Sequence, residues 1–439
     1  MRKNSLPDIS TDDSAHASGG TAPTQVKERQ LGTNIGAEKP VRRILFILQY
    51  FYPDVTGFSQ MLGDLALHLT ASGRYQCTVL SGSTVRSTRK WVRLPDRLGN
   101  VTIRRIRTLS TGKRSILHRL LEYSAFYIGV TLRLFLNREF DAVVCFSTPP
   151  LIGFAAATGL SLARTPFIYY VQDLYPELLY DMGYVRNPWV IRRLSVLNRL
   201  VFRRADKIVT IGRWMAKKLE RNYGLRPSRL SVVENWAMGI SFAPPTLTGP
   251  FVVLYSGNIG LAHDFSLLGK LLGVLAAADD GPSAVEFRFV GSGRQYKSIE
   301  RMFAARPRIR CSFSGYVERN ELNALLSSAH VFLIAQSDFS VGDILPSKFY
   351  SYLAAGRPQL FIGTRKSEIG EAIVENRIGS VLECDGDVNP SAECLRRFAL
   401  RGADFQAACA RAADLYEKRL GFIHSAEKFE AILREVLKA

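Results

Sequence analysis

The chain has 439 residues, 47% hydrophobic and 22% charged, with a formal net charge of +19; it fits a globular protein with room for two or three cored domains. Its six cysteines form no C-x-x-C pair and no Cys/His cluster at zinc spacing, which argues against a structural zinc site and for free thiols in a reducing compartment. The excess charge is confined to residues 41–230, with 30 basic and 11 acidic side chains, whereas 1–40 hold five of each and 231–439 hold 23 of each.

Residues 1–40 are poor in apolar side chains and without periodicity, and read as a disordered tail. Met-Arg-Lys at the start leads into no apolar run, so a cleaved secretory signal is not expected. After Arg42-Arg43, ILFILQYF reads as a buried strand that ends in Tyr52-Pro53-Asp54 and a loop carrying Gly57. A helix with Met61, Leu62, Leu65 and Leu69 follows, then the strand CTVLSG over 77–82, which opens a βαβ pattern and a parallel sheet.

Two stretches, 84–119 and 186–230, concentrate the basic residues. They imply an anionic partner, either nucleic acid or an anionic lipid leaflet, or else a solvated basic face. No nucleic-acid motif accompanies the charge. Between them Ile116–Leu136 is apolar but interrupted by Arg119, Glu122 and Arg133, which suits a helix lying in a membrane interface, or an ordinary buried helix, better than one crossing the bilayer.

Further strands are predicted at 142–150, 167–177, 207–212 and 230–236, and Pro244, Pro245, Gly249 and Pro250 mark a linker over 237–250. A second α/β series has strands at 251–260, 287–293, 309–317, 330–336, 358–363 and 379–385, and 403–437 is helical in pattern. The expected organisation is a first α/β domain over 41–236, a second over 251–415 and a C-terminal helical segment over 416–439. Two successive parallel sheets place a cleft between their strand C-terminal ends.

Within that frame, Ser256-Gly257-Asn258-Ile259-Gly260 and Val290-Gly291-Ser292-Gly293 each follow a strand, where glycine lets backbone N–H groups approach a phosphate, although tight turns also require it. Pro346-Ser347-Lys348 opens a helix, combining free N–H groups with a full positive charge. This is the best diphosphate site in the sequence. Asp385-Gly386-Asp387, next to Asn389-Pro390, reads as a turn.

The ordered strings YFYPDVTGFSQMLGDLALHL, STPPLIGFAAA, YYVQDLYPE, VVENW, LYSGNIGLAHDF, FRFVGSG and LPSKFYSYLAAGRP resemble glycosyltransferase family 4, in particular its capsule, colanic-acid and O-antigen branch. The resemblance implies the GT-B fold of two Rossmann-like domains, retention of anomeric configuration, no metal or other cofactor, and a nucleotide-sugar donor in the second domain. It implies a donor set of Gly257, Asn258, His263, Gly291, Gly293, Tyr316, Leu345, Pro346, Ser347, Lys348 and Ser351, with Asp173, Lys348 and Asp343 as catalytic candidates. Asp54, Gly57, Gln172 and Glu177 form the acceptor side. The family's paired basic residues after the first strand of the second domain correspond to Asn258 and His263, which can still donate to a phosphate, His263 more strongly when protonated. Its two donor-site glutamates correspond to Asp343, which can accept from sugar hydroxyls, and Ser351, which cannot act as an ion.

The implied function is transfer of a sugar to a polyprenyl-diphosphate-linked acceptor on the cytoplasmic face of the inner membrane, in exopolysaccharide, capsule or O-antigen assembly. The implied partners are a nucleotide sugar, a lipid-linked glycan and an anionic membrane surface, with no nucleic acid. Two alternatives share the sequence signals: a nucleotide-sugar epimerase or phosphorylase on the same fold, or a nucleotide-sugar-binding protein whose transfer site has decayed.

Overall fold

The computed structural model describes residues 40–438 except 55, 86–93, 109–115, 238, 241–243, 246–247, 261, 278–284, 319–320 and 384–385. The tail expected over 1–40 lies outside them apart from Pro40, as do part of the 237–250 linker, Asp385, and Arg86, Arg89, Lys90, Arg93, Lys113 and Arg114 of the basic stretch. Val41–Ala439 forms one unit built on two sheets.

The first lobe runs β1 (Arg42–Ile47), α1 (Gly57–Ala71), β2 (Tyr75–Gly82), β3 (Arg97–Leu98), β4 (Val101–Ile106), α2 (Ile116–Leu136), β5 (Ala142–Phe146), α3 (Ile152–Gly159), β6 (Phe167–Val171), α4 (Glu177–Asp181), α5 (Pro188–Arg204), β7 (Lys207–Thr210), α6 (Arg213–Tyr223) and β8 (Leu230–Val232). Its eight strands are ordered β3-β4-β2-β1-β5-β6-β7-β8, parallel except for the β3–β4 pair. The central strands are continuous apolar runs because helices cover both faces: Ile44–Ile47 of β1 and all of β5 are buried.

Strands β3 and β4 were not expected inside the basic stretch. VTIRRI alternates as a half-buried strand does, with Val101 and Ile103 packed inward. Arg105 is not part of a solvated basic face. Its guanidinium donates to Ser81 Oγ at 2.7 Å and to the carbonyls of Gly82, Pro95 and Tyr52, tying together the loops that leave β1 and β2. Burial lowers its pKa to about 10.

The second lobe runs β9 (Phe251–Ile259), α7 (Ser266–Ala276), β10 (Val285–Gly293), α8 (Tyr296–Ala304), β11 (Arg310–Ser314), α9 (Leu322–Ser327), β12 (Val331–Ala335), α10 (Lys348–Ala354), β13 (Gln359–Ile362), α11 (Glu368–Asn376), β14 (Gly379–Leu382), α12 (Asn389–Ala399) and α13 (Ala403–Leu415). Its six parallel strands are ordered β11-β10-β9-β12-β13-β14. Strand order reverses between β1 and β5 in the first lobe and between β9 and β12 in the second. Ligand crevices open at such reversals, beyond the strand C-terminal ends.

The last helix, α14 (Phe422–Val436), belongs to the first lobe's core, not the second's. Ala426, Phe429, Ile432, Leu433 and Val436 pack there, Phe429 stacking on Tyr170 at 5.8 Å and lying 6.2 Å from Phe46. Lys428 pairs with Glu234 at 2.7 Å, and Glu435 with Lys207 at 2.7 Å. The chain thus crosses between lobes twice, and the first core includes a helix that follows the second lobe in sequence. Phe429 is fully buried, and Phe429→Ala is expected to destabilise the first lobe by about 3–5 kcal/mol, read as a lowered denaturant midpoint of first-lobe unfolding; an unchanged midpoint would show that α14 is not part of that core.

Candidate active site

Strands β9 and β10 are in register with Gly257 opposite Gly291 and Ile259 opposite Gly293. The approach is too close for side chains: a Cβ on Gly291 (φ +138°) would lie 2.2 Å from the Gly257 carbonyl oxygen. A Cβ on Gly257 (φ +123°) would lie 2.7 Å from Cε of Lys348. Glycine at 257 therefore makes the space that Lys348 occupies. The lysine reaches in from the start of α10, its Nζ 3.8 Å from the Tyr255 ring centroid and hydrogen-bonded to the Tyr255 hydroxyl, while that hydroxyl donates to the Asn258 carbonyl at 2.8 Å. Loss of hydration lowers the Lys348 pKa to about 7.

His263 completes this floor. Its Nδ1 accepts from the Gly260 N–H at 3.2 Å, and Gln295 Nε2 donates to the carbonyls of Gly260 and His263 at 3.0 and 2.6 Å, joining the loops after β9 and β10. Burial first, then the neighbouring Lys348 charge, lowers the His263 pKa to about 4. The ring is neutral at physiological pH, with Nδ1 already engaged, so the stronger donation open to a protonated His263 is not available there. Tyr352 fixes the far side, its hydroxyl accepting from Ser256 N–H at 3.1 Å and its ring stacked on Phe332 at 3.9 Å. Ser351 lies one turn along α10 from Lys348, on the same side of the helix. Pro346 and Ser347 precede α10, and Tyr316 is exposed. Leu345 packs between the first lobe's core and that of α10.

Asp343 is placed differently from its expected role. Its side chain is fully buried at the seam between lobes, with Oδ1 2.6 Å from Nζ of Lys218, which also reaches Asp181 at 3.3 Å. A carboxylate held there does not meet a sugar hydroxyl. The Asp343 carbonyl accepts from Leu174 N–H at 2.8 Å. Alongside, Glu368 at the start of α11 accepts from the N–H groups of Arg213 and Trp214, which open α6, as a carboxylate at a helix N-terminus should. The C-terminal ends of β6 and β7 thereby meet the second lobe.

On the first-lobe side, Ser147 Oγ accepts from the N–H groups of Gln172 and Asp173 at 3.0 and 3.1 Å, so the loops after β5 and β6 hold each other at the strand reversal. Gln172 is buried and Asp173 half-buried. Asp54 is used locally: its carboxylate accepts from Thr56 N–H at 3.0 Å and its carbonyl from Ser59 Oγ at 2.7 Å, setting the entry to α1. Nothing lies within 4 Å of where a Gly57 Cβ would sit, so that glycine faces open space. Glu177 accepts from the Tyr223 hydroxyl inside the α4–α5–α6 packing, which draws it away from an acceptor role. Sequence reasoning missed Glu122, treated as a polar break in an apolar segment. It is buried, and it accepts from Thr84 Oγ1 at 2.8 Å, the Tyr50 hydroxyl at 3.1 Å and Gln49 Nε2 at 3.4 Å, fixing the loops beyond β1 and β2.

Burial and the adjacent Asp181 push the Asp343 pKa up to about 8 against the pull of Lys218. A carboxyl raised above its unfolded value favours the folded state while protonated, so this contribution is present at low pH and is lost as pH rises through the window from about 4 to about 8. Asp343→Asn removes the titration. Its thermal midpoint is expected to vary less than wild type's across that window, and parallel pH profiles for the two proteins would refute this account of the seam.

Comparison with known proteins agrees with the fold. Residues 56–236 match the glycosyl transferase 4-like domain. WbjE of Pseudomonas aeruginosa, a probable glycosyltransferase, is 25% identical over 287 residues, covering 62% of this chain and 68% of its own. WaaG, a glycosyltransferase involved in lipopolysaccharide biosynthesis, shares the fold with a TM-score of 0.57 at 15% identity, over 88% of this chain and 98% of its own. HepE of Anabaena, solved in complex with UDP, superposes with a TM-score of 0.61 at 13% identity, over 90% of this chain and all of its own. Residues 56–236 thus resemble a glycosyl transferase 4-like domain, and the two parallel-dominated sheets give the chain the GT-B fold of a glycosyltransferase.

Proposed function

We propose that this enzyme moves a sugar, with retention of anomeric configuration, from a nucleotide-sugar donor in the second lobe to a lipid-linked acceptor presented by the first. The observation that carries the donor assignment is Lys348, seated over Tyr255 in the space left by Gly257 at the strand reversal of the second lobe. A partly dehydrated amine beside backbone N–H groups is suited to meet the charge that grows on a departing nucleoside diphosphate. Lys348 and these amides take the place of a metal in the proposal. The UDP bound to HepE supports the ligand class.

On the acceptor side, Asp173 stands at the strand reversal of the first lobe and is proposed to orient, or take the proton from, the incoming hydroxyl. The basic first lobe and the lipopolysaccharide role of WaaG support a polyprenyl-diphosphate-linked acceptor in surface-polysaccharide assembly, at the cytoplasmic face of an anionic membrane. No described helix is long and apolar enough to cross a membrane, so the attachment proposed is peripheral. The domain roles follow: residues 41–236 with α14 hold the acceptor, and 251–415 the donor.

Mass spectrometry of products formed from membrane extracts supplied in turn with several nucleotide sugars tests the reading; a sugar added to a lipid fraction supports it. Donor consumed as an epimer without acceptor would assign an epimerase instead, and donor bound with no product across the panel would assign a decayed binding protein. Lys348→Ala should retain the wild-type circular dichroism and lose about 10²–10³-fold in turnover. Because the free lysine loses its proton as pH rises through about 7, the wild-type KM for donor should climb between pH 6 and 8. In the alanine variant it should stay flat, and equal slopes would remove Lys348 from the diphosphate site.

A further inference from the structure

In the first lobe α2 packs on α3, and α3 on α5. Between them lies a cavity of about 370 Å³ whose walls include Ile128, Thr131 and Leu132 of α2, Phe154 and Thr158 of α3, and Leu197 of α5. It is separate from the donor site, and its size falls in the range of small-molecule pockets, about 300–1,000 Å³.

The hydrogen-bonding capacity of its walls is spent internally. Thr131 Oγ1 donates to the Ala155 carbonyl at 3.1 Å, Thr158 Oγ1 to the Phe154 carbonyl at 2.8 Å, and the Tyr127 hydroxyl to the Pro150 carbonyl. What remains to meet an occupant is methyl, methylene and ring surface. A sugar or peptide entering would leave polar groups unpaired, whereas a hydrocarbon chain would not.

The rim is apolar and basic together. Ile128, Leu132 and Leu136 of α2, and Trp189, Val196 and Leu200 of α5, expose between 44% and 73% of their surface. Arg119, Arg133, Arg192, Arg193 and Arg199 on the same two helices are exposed and make no ion pair with any described residue. An apolar patch ringed by unpaired arginines, on the half that carries the whole charge excess, is complementary to the surface of an anionic bilayer.

We propose that the α2–α3–α5 cavity takes one hydrocarbon chain of an anionic bilayer lipid, with α2 and α5 lying in the interface and their arginines on the headgroups. The proposal rests on the membrane reading above and adds a specific chain site to it. The test uses the full-length protein with phosphatidylglycerol-containing vesicles that carry a phospholipid with a diazirine on its acyl chain. Wild type should sediment with these vesicles and not with phosphatidylcholine alone, and the adducts should map to residues 127–158 or to Leu197. Thr158→Trp, which fills the mouth from an exposed position, should lose those adducts while keeping wild-type donor binding. If that variant fails to fold, Leu132→Glu at the exposed rim serves the same purpose.

Sedimentation of wild type with adducts elsewhere, or adducts unchanged by Thr158→Trp, overturns the chain site and leaves the membrane reading standing. Failure of wild type to sediment with anionic vesicles overturns both. A vesicle-free dimer that Leu132→Glu dissociates would make this face a subunit contact and overturn the proposal.

Discussion

The contact on which the donor half depends is between two backbones. The β9–β10 register brings Gly291 so close to the Gly257 carbonyl that it has no room for a side chain, and a side chain on Gly257 would meet Lys348. The absence of side chains creates a hollow at the strand ends, and Lys348 fills it from the adjoining lobe wall. The amine lies on the Tyr255 ring and against that tyrosine's hydroxyl, gaining cation–π attraction while losing water. The same packing that positions the cation lowers its pKa. Position and reactivity are set together by what the glycines leave out.

A GT-B enzyme must also decide how its lobes meet, and here the seam is built from charge. The fully buried Asp343 meets Lys218, which also reaches the partly exposed Asp181, and Glu368 receives the N-terminus of α6. Burial makes each member costly unless its partners stay in place, so the seam favours one registration of the lobes. α14 is held differently: its apolar face is buried in the first lobe, which ties the end of the chain to that lobe through apolar surface.

Much of this was legible in the sequence because it is periodic or punctuated. The central strands are continuous apolar runs, and each of the twelve predicted strand strings overlaps an observed strand. The clustering of Gly257, Gly291 and Lys348 could be anticipated from glycines after strands and Pro-Ser-Lys before a helix. What stayed hidden depends on three-dimensional neighbours. β4 escaped notice because its arginines masked the alternation of Val101 and Ile103. Arg105 looked like surface charge but spends its donors on loop carbonyls. Glu122 looked like a break in an apolar helix but is the buried acceptor for three side chains. Asp343 corresponds by resemblance to a donor-site glutamate; only the position of Lys218, 125 residues earlier in the chain, shows what it meets. Spacing along one chain does not reveal a partner supplied by another lobe.

The same loop system joins the apolar face of the first lobe to the reaction crevice. α3 begins immediately after the loop in which Ser147 holds the backbone of Gln172 and Asp173. Leu151 at that helix's start (φ +66°) and Phe154 one turn on both line the α2–α3–α5 cavity. Only residues 148–150 of one loop separate the cavity wall at Leu151 from Ser147, whose hydroxyl oxygen accepts from the Asp173 N–H on the neighbouring loop. Tyr127 ties α2 to the same loop through the Pro150 carbonyl. A left-handed leucine is a strained choice where glycine would be relaxed; the leucine side chain is what puts apolar surface at that junction, so the strain and the cavity wall have a common origin.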